Sequence, residues 1–349
     1  MGERSKEMAE TVKDLKNRFM YSALNQAQKV VYDAICSGIE KSPKDPPAVF
    51  YADNVTSAKG ALGKDIGIAI MTLKRDRPEW FFLEKDKFNF VNLGGGSVKI
   101  IRGTTYTGSE ICETYALVNG AVRALTIGLE YCSDWQKLLN LYTRIAKGFS
   151  YRKVINDPDC YTAAGIIRNG YGVCAAFTNL FILCCRYMGI PAHMVVREGA
   201  YENGYSLDAE GNKVRKVKRY GHAWAAVYIN GKAYHCDLSS DVRGHDYCSY
   251  FYFCMGSDDL YKTHEVTTKM TSAPGREMSL FEKTGASFKS SSEAAAWIVK
   301  KVKAEQKYLH FRLDLPEADI RNTVAAALKG HAYSLIKRNE IGACLVILK

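Results

Sequence analysis

The sequence predicts an α+β protein with an N-terminal α+β region and a small C-terminal α/β domain. Apolar residues at helical spacing recur near both ends and in the middle of the chain, and short β-rich runs bounded by turn residues separate them. Past Pro274 the order changes to helix, strand, helix, strand, which is typical of a small separate domain. We therefore divide the 349 residues into an N-terminal helical and β extension (1–140), a central core (141–270) and a C-terminal α/β domain (271–349).

The N-terminal extension is predicted to begin with a helix over residues 8–41, whose apolar residues follow the 3.6-residue period. After the break at "SPKDPP", four runs predict strands: "DIGIAIMTL", "PEWFFL", "KFNFVNL" and "SVKIIRG". The glycines 94–96 between the last two runs predict a hairpin turn, because no Lys-Ser/Thr pair follows them as a phosphate-binding loop requires. Further helices are predicted over residues 109–129 and 134–149, the second capped by Ser133 or Asp134.

The C-terminal domain is predicted from four runs of alternating type. "SSEAAAWIVKKVKAEQK" and "PEADIRNTVAAALKGHAYSLIKR" have helical spacing, whereas "YLHFRLDL" and "ACLVILK" are rich in β-forming residues.

Composition and charge exclude several classes of function. The 48 basic and 37 acidic residues give a formal net charge of +11, which favours acidic partners, but no nucleic-acid-binding motif accompanies it, so we expect no nucleic-acid partner. No run approaches the roughly 18 apolar residues of a membrane-spanning helix. The eleven irregularly spaced cysteines fit reduced thiols and no zinc site. We expect cytoplasmic localisation, or secretion if a signal peptide has been removed, with no metal and no cofactor.

One cysteine, Cys174, begins a predicted buried helix. Apolar residues follow it at i+3, i+6, i+7, i+10 and i+14, and the helix is predicted to stop at Gly189. The glycines of "NGYG" just before Cys174 allow a tight turn. In the first helical turn the helix dipole and unpaired N–H groups favour a thiolate, and they would also hold a developing oxyanion. The position alone also fits a cysteine that only packs the helix start.

A predicted β-hairpin, "GHAWAAVYINGKAYHCDLSSD" (221–241), brings a histidine close to a carboxylate. If Asn230 and Gly231 form a type I′ turn, cross-strand pairs sum to 461, so His222 faces Ser239 and Trp224 faces Asp237. Asp237 is then a diagonal neighbour of His222 on one face of the sheet. Such a pair suits a general base and the carboxylate that orients it.

Two alternatives to this hypothesis remain at this point. His235 has the same parity as His222 and is a competing base, but it faces Ala226, on the far side of Asp237, so we prefer His222. The other alternative is a surface His–Asp pair with no nucleophile nearby.

The order of these residues resembles the transglutaminase-like family: a cysteine at a helix start, His-Ala-Trp on a strand, and aspartate on the next strand. "GYGVCAAFTNLFILCCRYMGIPAHMVV" is similar to the family's cysteine helix and "GHAWAAVYINGKAYHCDLSSD" to its histidine hairpin. The resemblance covers residues 141–255. Weaker similarity, in "RDRPEWFFL" and "SYFYFCMGSDDLYKTHEV", is to bacterial proteins with an N-terminal extension and a small C-terminal domain.

This resemblance implies a papain-like or transglutaminase-like core, in which the cysteine helix packs on an antiparallel sheet. It implies that Cys174 is the nucleophile, His222 the general base and acid, and Asp237 the residue that orients His222. The expected chemistry is acyl transfer through a thioester on a peptide or protein substrate, with hydrolysis favoured over protein cross-linking because no calcium-binding pattern occurs. The alternative from another class is an inactive binding module on the same fold.

Four further residues are predicted to bind substrate: Tyr171 as a possible oxyanion donor, Gly172 because it lets a carbonyl approach, and Trp224 and Ser239 on the histidine face. The chain departs from the family at Ala225, where Asn is frequent, and at Ser239-Ser240, where a Thr-Trp pair is frequent.

A basic segment, "GNKVRKVKRYG", lies just before His222. It fits one side of a cleft that attracts acidic substrate, or the solvated part of an extended hairpin whose tip is "DAEGN". We prefer the second interpretation.

Overall fold

The structure, a computed structural model, describes residues 18–84, 87–104, 106–154, 157–207, 213–219, 221–242, 247–265, 273 and 275–349. The chain forms two compact units, each built from two stretches of sequence. The first unit comprises Met1–Tyr131 and Arg152–Met194, and the second comprises Cys132–Tyr151 and Val195–Lys349. The division into 1–140, 141–270 and 271–349 stays a prediction.

Helices and strands are mixed along the described residues, so the predicted α+β class is confirmed. The α-helices are, in chain order, Gln26–Lys41, Leu62–Asp76, Gly108–Thr126, Asp134–Gly148, Ala163–Asn169, Cys174–Tyr187, Leu238–Asp241, Ser257–Leu260, Leu280–Lys283, Ser291–Lys303 and Glu317–Ala327. Short 3-10 helices occur at Phe19–Ala23, Pro158–Tyr161 and Asn339–Ile341.

The strands are, in chain order, β1 (Val49–Ala52), β2 (Phe88–Gly94), β3 (Ser97–Arg102), β4 (Ser150–Tyr151), β5 (Tyr171–Gly172), β6 (Ala192–Arg197), β7 (Ala200–Leu207), β8 (Lys213–Arg219), β9 (His222–Ile229), β10 (Lys232–Cys236), β11 (Ser287–Phe288), β12 (Tyr308–Leu313), β13 (Tyr333–Arg338) and β14 (Ala343–Leu348).

The first unit contains an antiparallel sheet of order β1-β3-β2. The predicted turn between β2 and β3 is confirmed, since the glycines 94–96 all have positive φ. Capping boxes begin two of its long helices, at Asn25 with Gln28 and at Thr107 with Glu110. In each box the side chain of the first residue accepts a backbone N–H, and the side chain of the second accepts one in return.

The second unit contains a sheet of order β10-β9-β6, and the boundary between the units falls within β6. It also contains a β7-β8 pair and a sheet of order β11-β12-β14-β13. A shared core joins the sheet β10-β9-β6 to the sheet β11-β12-β14-β13: Trp224 and Ala226 of β9 pack with Ala343 and Leu345 of β14. The C-terminal helices cover the other face of the β12–β14 sheet, where Ile298 and Val324 are fully buried. The Ser133 cap predicted for the helix Asp134–Gly148 is confirmed.

Outside the predicted histidine hairpin, four sequence predictions of local structure are wrong. "DIGIAIMTL" lies in the helix Leu62–Asp76, where Ile66, Ala69, Ile70 and Leu73 are buried at helical spacing. The run fits both periods, and packing against the helix Gln26–Lys41 favours the helix. "PEWFFL" forms consecutive turns, in which Trp80 N–H donates to the Arg77 carbonyl and Leu83 N–H to the Trp80 carbonyl.

The other two concern helix length. The predicted helix 8–41 is interrupted, since the capping box at Asn25 starts a new helix, and residues 8–17 lie outside the described residues. The helix predicted for 316–338 ends at Ala327, and β13 follows after Gly330, which has a φ of 88°.

Residues 213–219 of the basic segment form β8, which pairs antiparallel with β7. The predicted tip "DAEGN" lies outside the described residues. Among the described residues, every helix is too short or too polar to cross a bilayer.

Candidate active site

Cys174 is the first residue of the helix Cys174–Tyr187, called here the cysteine helix, and its side chain is partly exposed. The predicted stop is also found, because Gly189 has a φ of 80° beyond the last turn. The preceding residue, Val173, occupies the N-cap position and provides no side-chain acceptor. The capping boxes of other helices use side-chain oxygens for the first N–H groups, whereas the cysteine helix leaves those groups without a side-chain cap.

The turn before Cys174 requires a close approach of the backbone. A Cβ added to Gly172 would lie 2.7 Å from the Ala176 Cβ and 3.3 Å from the Cys160 carbonyl oxygen. The Val173 N–H donates to that same Cys160 carbonyl at 2.9 Å. Gly172 therefore packs this turn against the cysteine helix, and its predicted part in substrate binding stays a prediction. Next to it, the Tyr171 ring lies 5.1 Å from the Arg152 guanidinium.

The histidine hairpin has the predicted turn and register. Asn230 and Gly231 both have positive φ, as a type I′ turn requires. The pairs Ile229–Lys232 through Ala225–Cys236 match the predicted cross-strand alignment.

Beyond Cys236 the predicted register is wrong, since β10 ends there and Asp237 starts the helix Leu238–Asp241 as its N-cap. The Asp237 side chain accepts the Ser240 N–H at 3.1 Å, which is the bond that starts this turn. Ser239 therefore does not face His222. Its hydroxyl donates to Asp237 Oδ1 at 2.8 Å.

His222 and Asp237 nevertheless meet as predicted. His222 Nε2 lies 2.6 Å from Asp237 Oδ2, and the Asp237 side chain is 1% exposed while that of His222 is 17% exposed. Because a carboxylate only accepts, the proton in this bond lies on Nε2, so in the neutral ring Nδ1 is the nitrogen that carries the lone pair.

The Asp237 carboxylate is held as an anion by its surroundings. Burial alone would raise its pKa, but the charge of His222 and the hydrogen bonds from His222 and His264 outweigh burial and hold the pKa of Asp237 well below its usual range. The Ser240 hydroxyl donates to Oδ2 at 2.6 Å as well. Asp237 is thus ionised throughout the pH range in which an imidazole titrates.

A second histidine, His264, also binds Asp237 and was not predicted from the sequence. His264 Nε2 lies 2.9 Å from Asp237 Oδ2, and the His264 side chain is 7% exposed. Its imidazole ring packs edge-on against Tyr252 and Trp224, with ring centroids 4.9 and 5.2 Å away. The segment "YKTHEV" has no local pattern that points to Asp237, so only the fold reveals this contact.

Trp224 has no exposed surface and packs behind the imidazoles, with its ring 5.8 Å from that of His222. Its Nε1–H donates to His235 Nδ1 at 3.2 Å, and His235 Nε2 lies 3.1 Å from the Ser257 hydroxyl. Burial, together with the charge of His264, lowers the pKa of His235 to about 4. The competing histidine is therefore a neutral core residue with both ring nitrogens bonded.

The cluster of His222, Asp237 and His264 is the one place among the described residues where three metal-ligating atoms lie within 4.8 Å of one another. Both Nε2 atoms are, however, directed at the same oxygen from 2.6 and 2.9 Å. Neighbouring ligands of a tetrahedral zinc ion lie about 3.3 Å apart, given Zn–N and Zn–O bonds of about 2.0 Å. The contacts therefore fit hydrogen bonds better than metal coordination.

The predicted site residues thus fall into two groups. Cys174, Tyr171 and Gly172 lie together in the first unit, and His222, Asp237, Trp224 and Ser239 lie together in the second. The roles assigned to them stay predictions.

Comparison with known proteins finds similarity over the segment that carries these residues. Residues 123–238 match the family model of the transglutaminase-like superfamily. Similar solved structures include a TGase, 15% identical over 53% of this chain and 50% of its own, with a TM-score of 0.29. Another is the periplasmic domain of TgpA from Pseudomonas aeruginosa bound to ethylmercury, 16% identical over 44% of this chain and 66% of its own, with a TM-score of 0.25.

The match spans half the length of the first of these structures. Comparison with curated proteins gives no match. The matched segment begins within the helix Gly108–Thr126 and ends just after Asp237, so it includes Cys174 and His222. The resemblance predicted from the sequence is confirmed: residues 123–238 of this chain are similar to the transglutaminase-like superfamily.

Proposed function

We propose that this protein is a cysteine-dependent acyltransferase that acts on amide bonds, with Cys174 as nucleophile, His222 as general base and acid, and Asp237 as the residue that orients His222. The observation that carries the proposal is the 2.6 Å contact between His222 Nε2 and the buried Asp237 carboxylate. It fixes the tautomer in which Nδ1 is the proton-exchanging nitrogen. The match of residues 123–238 to the transglutaminase-like family model supports the assignment of the nucleophile.

The reaction begins when the Cys174 thiol gives its proton to His222 and the sulfur attacks the substrate carbonyl carbon. A C–S bond forms, and the carbonyl π electrons move to the oxygen. The uncapped N–H groups at the start of the cysteine helix are the donors suited to that oxyanion. The C–N bond then breaks, and His222 gives its proton to the departing amine, leaving a thioester on Cys174.

Release of the acyl group uses the same residues in reverse. Neutral His222 takes a proton from water as the water oxygen attacks the thioester carbon. The C–S bond breaks, and the sulfur leaves as a thiolate that regains the proton from His222. A primary amine in place of water gives transamidation, so one site supports either product. We propose hydrolysis of a peptide or protein substrate as the main outcome.

A covalent-intermediate experiment tests the nucleophile. The protein is mixed with p-nitrophenyl acetate, quenched in acid and digested, and the peptide that contains Cys174 is weighed by mass spectrometry. We expect a burst of nitrophenol matched by acetylation of Cys174. Cys174→Ala should abolish both signals, while Cys112→Ala, which removes an exposed cysteine, should leave both unchanged. A burst that persists in Cys174→Ala would contradict the proposal.

The same assay separates hydrolysis from the alternatives. Adding a primary amine and measuring free acetate against the N-substituted acetamide of that amine gives the partition of the thioester. Mostly acetate at millimolar amine supports hydrolysis, whereas mostly N-substituted acetamide identifies a transglutaminase. Absence of any thioester would identify a binding module.

A further inference from the structure

We propose that His264 is a positioning residue of this site, which sets the proton affinity and orientation of His222 through the carboxylate that the two histidines share. This inference rests on the proposed function, because it assigns a role within the same site. All the contacts that carry it lie within the second unit.

The shared oxygen, Asp237 Oδ2, has more donors than it has lone pairs. His222 Nε2 at 2.6 Å, His264 Nε2 at 2.9 Å and the Ser240 hydroxyl at 2.6 Å all meet it. A carboxylate oxygen has about two acceptor sites, so these donors compete for its electron density. A bond from His264 therefore weakens the attraction of Asp237 for the His222 proton.

The His264 ring is itself fixed on every side. Its Nδ1 lies 2.8 Å from the Thr263 hydroxyl, which donates to the Leu260 carbonyl at 3.1 Å. The His264 N–H donates to the same carbonyl at 2.9 Å, which anchors the residue to the helix Ser257–Leu260. Because both ring nitrogens are bonded and the ring is 7% exposed, His264 is suited to hold Asp237 and unsuited to meet substrate.

The sign of the effect distinguishes positioning from simple packing. If His264 competes with His222, removing it lets Asp237 hold the His222 proton more strongly, and His222 titrates at higher pH. If His264 only supports the local structure, removing it loosens the His222–Asp237 pair, and His222 titrates at the same or a lower pH.

Other ionisable or charged groups interact with this cluster or its neighbours, or lie next to it in sequence. The variants below leave them in place: His235, Asp241, Tyr252, Tyr261, Glu265 and Arg338.

The experiment compares His264→Leu, which removes the donor, with His264→Gln, whose amide nitrogen can occupy the Nε2 position. The His222 ring is followed against pH by ¹⁵N NMR of the full chain in EDTA. We expect the His222 midpoint to rise by about one pH unit in His264→Leu, as for the loss of one hydrogen bond to a charged group, and to stay near the wild-type value in His264→Gln.

His310→Leu is the matched control, because His310 is a histidine of the same unit whose Nε2 bonds the Cys248 carbonyl instead. It should leave the His222 midpoint unchanged, and thermal unfolding confirms that each variant is folded. The acid limb of the pH profile for acyl-enzyme hydrolysis should move with the NMR midpoint.

Three results would overturn the inference: an unchanged or lower midpoint in His264→Leu, the same shift in His264→Gln, or a wild-type titration that changes on EDTA removal of metal. Failure of the proposed function looks different, since it would abolish the thioester on Cys174 while leaving the NMR comparison intact.

Discussion

Asp237 and Asp241 stand at the two ends of the short helix Leu238–Asp241, and both carboxylates are fully buried. Both are also surrounded by donors. Asp241 accepts the hydroxyls of Tyr142 and Ser249 at 2.6 Å each and the N–H groups of Phe251 and Tyr252 at 2.8 and 2.9 Å. Burial nevertheless raises the pKa of Asp241 to about 6, whereas the pKa of Asp237 is held well below its usual range.

The difference lies in the partners. Asp241 has only neutral donors, and these do not outweigh the loss of solvation, while Asp237 has two imidazoles that both supply an opposing charge. The four neutral donors around Asp241 hold it as a structural carboxylate. The two histidines around Asp237 keep it an anion, which suits acid–base chemistry. The hydrogen bonds to Asp241 hold residues 249–252 in place. In that segment the Tyr252 carbonyl accepts the Asp237 N–H at 3.1 Å.

The largest expected effect comes from Asp237→Asn. The amide nitrogen of Asn would face His222 Nε2 and favour the tautomer with the proton on Nδ1, so the base is lost. The corresponding change in the Ser-His-Asp triad of proteases costs about 10⁴-fold in kcat. We expect a loss of that order in the rate of acyl transfer to water, measured with the nitrophenyl ester. Asp241→Asn should retain most of the activity; equal losses in both variants would remove the distinction between the carboxylates.

The next effect concerns stability against pH. The folded pKa of Asp241, about 6, exceeds its unfolded value, so this group contributes stability that is present below about pH 4 and is lost as pH rises through about 6. The shift corresponds to about 3 kcal/mol. Asp241→Asn lacks this pH dependence. The free energy of unfolding of the wild type, measured in urea relative to that of the variant, should therefore fall by up to about 3 kcal/mol between pH 4 and pH 7.

Asp258→Asn is the control for that measurement, since Asp258 is an exposed carboxylate of the same unit. Its relative stability should be the same at both pH values. If the difference in free energy of unfolding between the wild type and Asp241→Asn stays constant with pH, the pKa of Asp241 is not raised by folding.

The smallest expected effect separates the two oxygens of Asp237. Ser240→Ala removes a donor from Oδ2, the oxygen that both histidines contact, whereas Ser239→Ala removes one from Oδ1. One hydrogen bond is worth about 1 kcal/mol, so each variant should lose about that much free energy of unfolding. Only Ser240→Ala should also shift the His222 midpoint seen by NMR. Equal shifts in the two variants would contradict the competition for Oδ2.

The sequence predicts the histidine hairpin well because one local signal, Asn230-Gly231, sets the register of both strands. It predicts the meeting of His222 and Asp237 for the same reason, although the contact is made by an N-cap and not by a strand residue. The cysteine helix is likewise predictable, since its glycines mark both of its ends.

The remaining features depend on tertiary contacts. His264 lies 27 residues beyond Asp237 in sequence, and the chain between them is held by hydrogen bonds to Asp241. No periodic pattern in the sequence indicates such a contact. "DIGIAIMTL" fits a strand and a helix equally, and packing against the helix Gln26–Lys41 decides between them.

The central claim, that His222 and Asp237 activate Cys174, is tested most directly by competitive labelling with iodoacetamide at mildly acidic pH. Cys112 is an exposed internal reference thiol, and the two peptides are quantified by mass spectrometry. We predict that Cys174 is labelled much faster than Cys112 in the wild type, and that His222→Ala abolishes the preference. Equal labelling of the two cysteines in the wild type, or a preference that survives in His222→Ala, would contradict the account.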